Sequence, residues 1–333
     1  MRILVTGGAG FLGARLAREI LQRGQLCGQT VKELVIADLF PAPADLQADP
    51  RVKSHAGPML EQGELLASGF DGVFHLASAV SGECELDFDL GMRSNLDSTR
   101  LLLDSIRRSG KVSRFVFASS VAVFGPYADQ PMPALVTDTT LPSPQTSYGT
   151  QKLMLEYLVA DQTRKGFIDG RSARLMTVTV RPGKPNGAAS SFFSGIIREP
   201  LAGVESICPV DASVSHPVSS PGTTIRSLIA VFEASQATLG NRLALNLPGL
   251  NVTVQQMLDA LEKVGGKAVR NRVRFERDER IAGIVGNWAR GATSERANAL
   301  GLHADSSFES IIEQYIDDCK NQPGYPAQAL AGL

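Results

Sequence analysis

Five apolar runs punctuate the first 180 residues: RILVT (2–6), ELVIAD (33–38), GVFHLA (72–77), RFVFAS (114–119) and LMTVTVRP (175–182). Each is continuous rather than alternating, as expected for strands buried on both faces of a parallel sheet. Between them, apolar positions recur at helical spacing in FLGARLAREILQRG (11–24), NLDSTRLLLDSIRRSG (95–110) and SYGTQKLMLEYLVADQTRKG (147–166). This alternation predicts βα units and an α/β fold with a doubly wound parallel sheet of Rossmann type.

After residue 182 the pattern loosens. A Pro/Ser-rich stretch (208–222) precedes a helix candidate (225–238) and a strand-like LALNLPG (243–249) that returns to the sheet. TVQQMLDALEKVGG (253–266) reads as a helix stopped by paired glycines. SFESIIEQYIDDC (307–319) reads as a helix whose Ser and Glu open it like a capping box. The final PGYPAQALAGL reads as a loose end. The expected organisation is a dinucleotide-binding domain over 1–181 and 224–249, with a smaller, discontinuous substrate-binding cap over 182–223 and 250–333.

Composition narrows the function classes. With 43% hydrophobic and 20% charged residues, the chain has an ordinary globular make-up. A formal net charge of −1 gives no reason to expect nucleic acid or an anionic membrane as partner. No apolar run approaches the roughly 18 residues of a membrane span. The opening MRILVTGG enters a strand without a secretory apolar region, so a cytoplasmic protein is expected. Cys27, Cys84, Cys208 and Cys319 lack metal-ligand spacing and read as reduced thiols; the four His residues are as dispersed, so no metal is expected.

Candidate chemistry begins at VTGGAGFLGARL, which sets Gly7, Gly10 and Gly13 between the first strand and the first helix. Gly7 permits a tight turn, Gly10 lets the backbone approach a pyrophosphate, and Gly13 allows close helix–strand packing. The helix start, at Phe11 and Leu12, presents free N–H groups to that anion. Asp38 ends the second strand, where a carboxylate accepts from ribose hydroxyls and repels a 2′-phosphate. The following LFPAPADL holds no Arg or Lys, so NAD is favoured over NADP.

Tyr148 and Lys152, four apart in SYGTQK, share one helix face. A neighbouring ammonium favours the phenolate and makes tyrosine a usable base. Upstream, Ser119 and Ser120 end a buried strand at the edge where such sheets bind ligands. Ser119 reads as a satisfied strand-end hydroxyl, and Ser120 as the one that orients the substrate oxygen. His75 reads as a core histidine.

With these motifs in order, the chain resembles the extended short-chain dehydrogenase/reductase family over nearly its whole length. FHLAS (74–78) looks like the family's fourth-strand motif, so Leu76, Ala77 and Ser78 are expected beside the cofactor. Asn95 sits where the family has an Asn that supports the active-site helix and a proton-relay water. ERANALGL (295–302) looks like its carboxy-terminal signature. The resemblance implies Ser120, Tyr148 and Lys152 as catalytic residues, with Lys152 also holding the nicotinamide ribose and Pro182 lying under the nicotinamide.

Many family members act on nucleotide-linked sugars. Dehydratases follow the catalytic Ser/Thr with Asp-Glu, whereas this chain has Val121–Ala122, and Ser219 and Ser220 stand where charged residues are usual. The pattern VRPGKPN…ASSF…SGIIREPLAG (180–203) looks closest to the acid-sugar branch of the family, the D-erythronate dehydrogenases. That likeness implies NAD-dependent oxidation of a four-carbon sugar acid at its 2-hydroxyl to a 2-oxo acid. Lys184 and Arg226 are then candidates for the substrate carboxylate, with Asn186, Ser190, Ser191, Ser78 and Ser120 as polar contacts. Each loop residue among them also has a plain reading as an exposed charge or turn hydroxyl. A nucleotide-sugar epimerase or reductase is the alternative, and a homodimer is what the family implies.

Overall fold

The computed structural model describes the chain apart from residues 128, 130 and 184–188. Its residues group into two compact units. The first comprises Met1–Ser120, Thr146–Arg174 and Ile225–Leu245; the second comprises Val121–Gln145, Leu175–Thr224 and Asn246–Leu333.

The first unit is built on a seven-stranded sheet. Its elements in chain order are β1 (Arg2–Thr6), α1 (Phe11–Arg23), β2 (Glu33–Asp38), β3 (Val52–Ala56), β4 (Gly72–His75), α2 (Ser98–Ser109), β5 (Ser113–Ser120), α3 (Ser147–Arg164), β6 (Ile168–Leu175) and β7 (Leu245–Asn246). The strand order is β3-β2-β1-β4-β5-β6-β7. β1 pairs in parallel with β2 on one side and β4 on the other. The winding reverses at β1/β4, which makes the carboxyl ends of these two strands the place where a ligand is bound in such sheets.

The apolar runs drive this arrangement. Ile3, Leu4 and Val5 are completely buried, as are Leu34, Val35 and Ile36. Leu102, Leu103 and Ile106 of α2 join Phe115 and Phe117 of β5 and Leu155 and Val159 of α3 in one core cluster. Each such side chain contributes roughly 1.5–3 kcal/mol relative to exposure. α1 stops at Gly24, whose left-handed backbone (φ 65°) lets its N–H close on the Ile20 carbonyl.

Two strands differ from the expectation. The sixth strand is Ile168–Leu175, not the run at 175–182. Its Arg171 and Arg174 are 3% and 5% exposed, buried by pairing with Asp169 and Glu156, so its polar letters hide a core strand. The edge strand β3 was missed because VKSHA carries polar residues along a border that needs no continuous apolar run.

In the second unit, Thr177–Val178, Ser215–Ser219 and Leu250–Thr253 form a three-stranded sheet. Helices Ser191–Leu201, Val254–Gly265 and Phe308–Asn321 supply its core through Ile196, Ile197, Met257, Leu258, Ile311 and Ile312. Ser307 caps the last helix on the Ser310 N–H; Ser310, rather than Glu309, occupies the third position. The terminal segment is not loose: Ala329 is buried, Leu330 packs on the core, and the Gly332 N–H donates to the Leu201 carbonyl at 2.8 Å. Among the described residues no helix is long and apolar enough to cross a membrane.

Candidate active site

The loop after β1 is shaped by close backbone approach. Gly7 has φ 69°, and a Cβ there would lie 2.7 Å from the Ala77 nitrogen, so the loops after β1 and β4 press together at the switch point. A Cβ on Gly13 would fall 2.1 Å from the Gly7 carbonyl oxygen, so only glycine lets α1 start this close to the turn. Gly10 is different. Its Cβ would meet the Gly7 oxygen at 3.2 Å, a contact the fold itself could nearly absorb.

α1 begins at an N-cap glycine with no side-chain cap and no acidic residue in its first turn. Its first ladder bond runs from Ala14 N–H to the Gly10 carbonyl at 2.8 Å. The N–H groups of Phe11, Leu12 and Gly13 therefore precede the ladder and form the positive end of the helix dipole. Such an end fits a pyrophosphate, and an acidic first turn would have spoiled it. Asp38 stands beside this loop, accepting from the Ala9 N–H at 3.0 Å and the Phe40 N–H at 3.2 Å. An ionised carboxylate has about four lone-pair sites, so acceptor capacity remains for ribose hydroxyls.

Beyond β4, the Leu76 and Ala77 amides return to Thr6, on its carbonyl at 3.1 Å and its hydroxyl at 3.4 Å. Asn95 then fastens the next residues. Its Oδ1 accepts from the Ser78 hydroxyl at 3.0 Å and the Ala79 N–H at 2.7 Å, while its Nδ2 donates to Gln151 of α3 at 2.7 Å. It lies in a π-helical turn, Met92–Asp97, that leads into α2. One buried amide thus ties the post-β4 loop to the helix carrying Tyr148 and Lys152. The Ser78 hydroxyl, expected on the substrate, shares its one proton between Asn95 Oδ1 and the Ala79 carbonyl, each at 3.0 Å.

His75 is a core residue. The Thr99 hydroxyl donates to the Asn95 carbonyl, so it accepts from His75 Nε2–H at 2.7 Å, and Nδ1 accepts from the Thr6 hydroxyl at 2.6 Å. Burial, with Lys152 nearby, pushes its pKa down to about 3, so it carries no charge.

Tyr148 occupies the first turn of α3, whose N-cap Thr146 accepts from the Gly149 N–H at 3.0 Å. Lys152 lies one turn on, only 3% exposed, with its Nζ 5.4 Å from the Tyr148 ring centre and donating to the Ala118 carbonyl at 2.9 Å. Burial lowers its pKa to about 8, opposed by Cys84 and Glu156, so the ammonium persists at neutral pH. Ala118 directly precedes the two serines that end β5. Ser119 is buried and donates to Glu156 at 2.5 Å, the satisfied hydroxyl that was expected. Ser120 is half-buried at the strand's carboxyl end.

The remaining expected contacts are described within their own units. Ser190 precedes helix Ser191–Leu201 in the second unit without a side-chain capping bond, and its hydroxyl accepts from Arg181 Nη2 at 3.3 Å. Arg181, not singled out from the sequence, precedes the half-buried Pro182. Phe193 is completely buried and stacks on His216, which anchors this segment in the second core. Arg226 stands on the exposed face of helix Pro221–Glu233, between the buried Ile225 and Ser227. Lys184 and Asn186 lie outside the described residues. Glu156 and Gln151 were missed because only tertiary contacts mark them.

The chain resembles known proteins along most of its length. A family model described as the NAD dependent epimerase/dehydratase family matches residues 3–239. A protein of Cupriavidus necator named D-erythronate dehydrogenase is 48% identical over 325 residues, 96% of this chain and 98% of that protein. A Haemophilus influenzae protein of the same name is 40% identical over 320 residues, 95% of this chain and 99% of its own length. A crystal structure described as the nucleoside-diphosphate-sugar epimerase from Agrobacterium tumefaciens superposes with a TM-score of 0.90 at 42% identity, covering 96% of this chain and 94% of that one. The chain belongs to the NAD-dependent epimerase/dehydratase family, the extended short-chain dehydrogenase/reductases, and its cofactor is NAD.

Proposed function

We propose that this NAD-dependent dehydrogenase oxidises a four-carbon sugar acid, D-erythronate, at its 2-hydroxyl to the 2-oxo acid. The observation that carries the substrate is the near full-length likeness to two proteins named for that activity. The cofactor is held by the Gly7–Gly13 loop, the Phe11 and Leu12 amides, Asp38 at the ribose, the Leu76–Ser78 backbone, Lys152 and Pro182, with Asn95 and Tyr148 beside it. Bound NAD supplies the hydride acceptor.

The chain's own residues manage the proton. Tyr148, as phenolate, removes the proton of the substrate hydroxyl. The buried Lys152 ammonium and the positive end of α3 favour that phenolate. Ser120 donates a hydrogen bond to the oxygen as negative charge builds on it. Substrate contacts are assigned to Ser78, Ser120, Lys184, Asn186, Ser190, Ser191 and Arg226. A cytoplasmic homodimer, with α2 and α3 at the interface, completes the reading.

A panel of four-carbon sugar acids offered with NAD and NADP tests it. NADH formation with D-erythronate is expected, and a flat trace across the panel sinks the substrate assignment. The name of the Agrobacterium tumefaciens structure keeps a second reading, a nucleotide-sugar epimerase, in view. Interconversion of a UDP- or GDP-sugar in the same assay would select it. Val121–Ala122, in place of an acid pair, speaks against dehydration.

A further inference from the structure

Tyr148, Lys152 and Glu156 follow one another at intervals of four along α3, so the three share a face. Glu156 is 5% exposed. A buried carboxylate of this kind is stable only when paired and hydrogen-bonded. Here Arg174 of β6 binds it side-on with two hydrogen bonds, from Nε at 2.9 Å and from Nη2 at 2.8 Å, and the Ser119 hydroxyl of β5 donates at 2.5 Å. One side chain therefore ties three elements together. Two of them carry the chemistry: β5 ends in Ser119–Ser120, and the carbonyl before that pair receives the Lys152 ammonium.

We propose that Glu156 is a positioning residue, whose carboxylate, seated between Ser119 and Arg174, holds the Ser120 end of β5 in register with the helix face bearing Tyr148 and Lys152. This rests on the dehydrogenase reading above. The geometry accounts for why two adjacent serines end this strand. One is committed to Glu156, and the commitment sets the direction of the other. It also accounts for a buried arginine in β6, which pairs with the Glu156 carboxylate so that neither group is buried alone.

The charge has a second consequence. The titratable groups packed around Lys152 are His75 at the end of β4, Cys84 from helix Ser81–Leu86, and Tyr148 and Glu156 on its own helix. His75 is neutral, so Glu156, balanced by Arg174 behind it, is the carboxylate that favours the ammonium. Loss of its charge lowers the Lys152 pKa further, and a neutral lysine stabilises the Tyr148 phenolate less.

Two variants test the proposal. Ser119→Ala cuts the tie to β5 and leaves the Glu156–Arg174 pair intact, so folding is preserved. Glu156→Gln removes the charge. Both are expected to bind NAD within about twofold of wild type, while kcat falls about threefold in Ser119→Ala and about tenfold or more in Glu156→Gln, with little change in KM for NAD. In the NAD complex of Glu156→Gln, the phenolate absorbance titration, read against Tyr148→Phe as blank, is expected to move to higher pH. Wild-type kcat in Ser119→Ala together with an unmoved or lowered phenolate titration in Glu156→Gln would overturn the proposal. The titration needs no substrate. Failure of wild type to oxidise D-erythronate would refute the substrate reading and leave the role of Glu156 to be decided by the phenolate.

Discussion

At the scale of single residues, the site is a set of polar groups whose freedom has been removed by named partners. Asp38 is the clearest case. It serves its own loop by accepting from Ala9 and Phe40, and keeps acceptor capacity for a ribose. Hydrogen bonds to a charged acceptor contribute about 1.5–3 kcal/mol each, so Asp38→Ser should weaken NAD binding by about tenfold or more. Part of that loss would come from the loosened loop, which affects NAD and NADP alike. The preference for NAD over NADP isolates the rest, and titration of both cofactors should show it shrinking. Asp38, Tyr148 and Lys152 were legible in the sequence because each is marked by a strand end or a helical interval. The Asn95 bonds to Ser78 and Gln151 were not, since their partners lie 17 and 56 residues away.

At the scale of elements, the turn from β1 into α1 shows how three glycines in one motif do different work. Gly7 and Gly13 are required by the protein's own backbone, whereas a Cβ on Gly10 would press only on the Gly7 carbonyl oxygen, at 3.2 Å. Gly13→Ala should therefore destabilise the fold by about 1–3 kcal/mol, the usual range for overpacking, and reduce NAD binding with it. Gly10→Ala should cost less stability than Gly13→Ala and still lose NAD affinity, because the added methyl group would stand where the proposed site brings the pyrophosphate. Thermal unfolding with and without NAD separates the two; equal loss of stability would show that Gly10 is structural. The sixth strand carries the opposite lesson. Its Arg171 and Arg174 disguised it, because a charged residue counts as exposed until its partner is known.

At the scale of the whole molecule, each unit buries one neutral histidine. His75 in the first has its pKa pushed down to about 3, and His216 in the second to about 4. His216 is held by the Thr177 hydroxyl at 2.7 Å and the Ala289 carbonyl at 2.9 Å. Both values lie below the unfolded histidine pKa of about 6.5, so the unfolded chain binds more protons in between. The stability is intact above pH of about 6.5 and is lost as pH falls toward the folded values, by up to about 1.4 kcal/mol per pH unit for each histidine. The unfolding temperature should thus drop between pH 7 and pH 5. His216→Asn should lessen that drop, and an unchanged slope would mean the histidine is not the proton acceptor.

What the sequence determined by itself was whatever is written within one element or at its end. The continuous apolar runs specify a parallel sheet, since strands covered on both faces tolerate few polar positions. The glycine loop, Asp38 and the Tyr148–Lys152 interval could be singled out as a candidate cofactor site because their geometry is local. Tertiary structure decided which polar residues could be buried, since that depends on partners far along the chain. It placed Arg174 and Ser119 on Glu156, set Asn95 between the loop after β4 and helix α3, and packed the terminal segment against its core. A buried charge is costly alone and stable when paired, and only the folded chain brings the pair together.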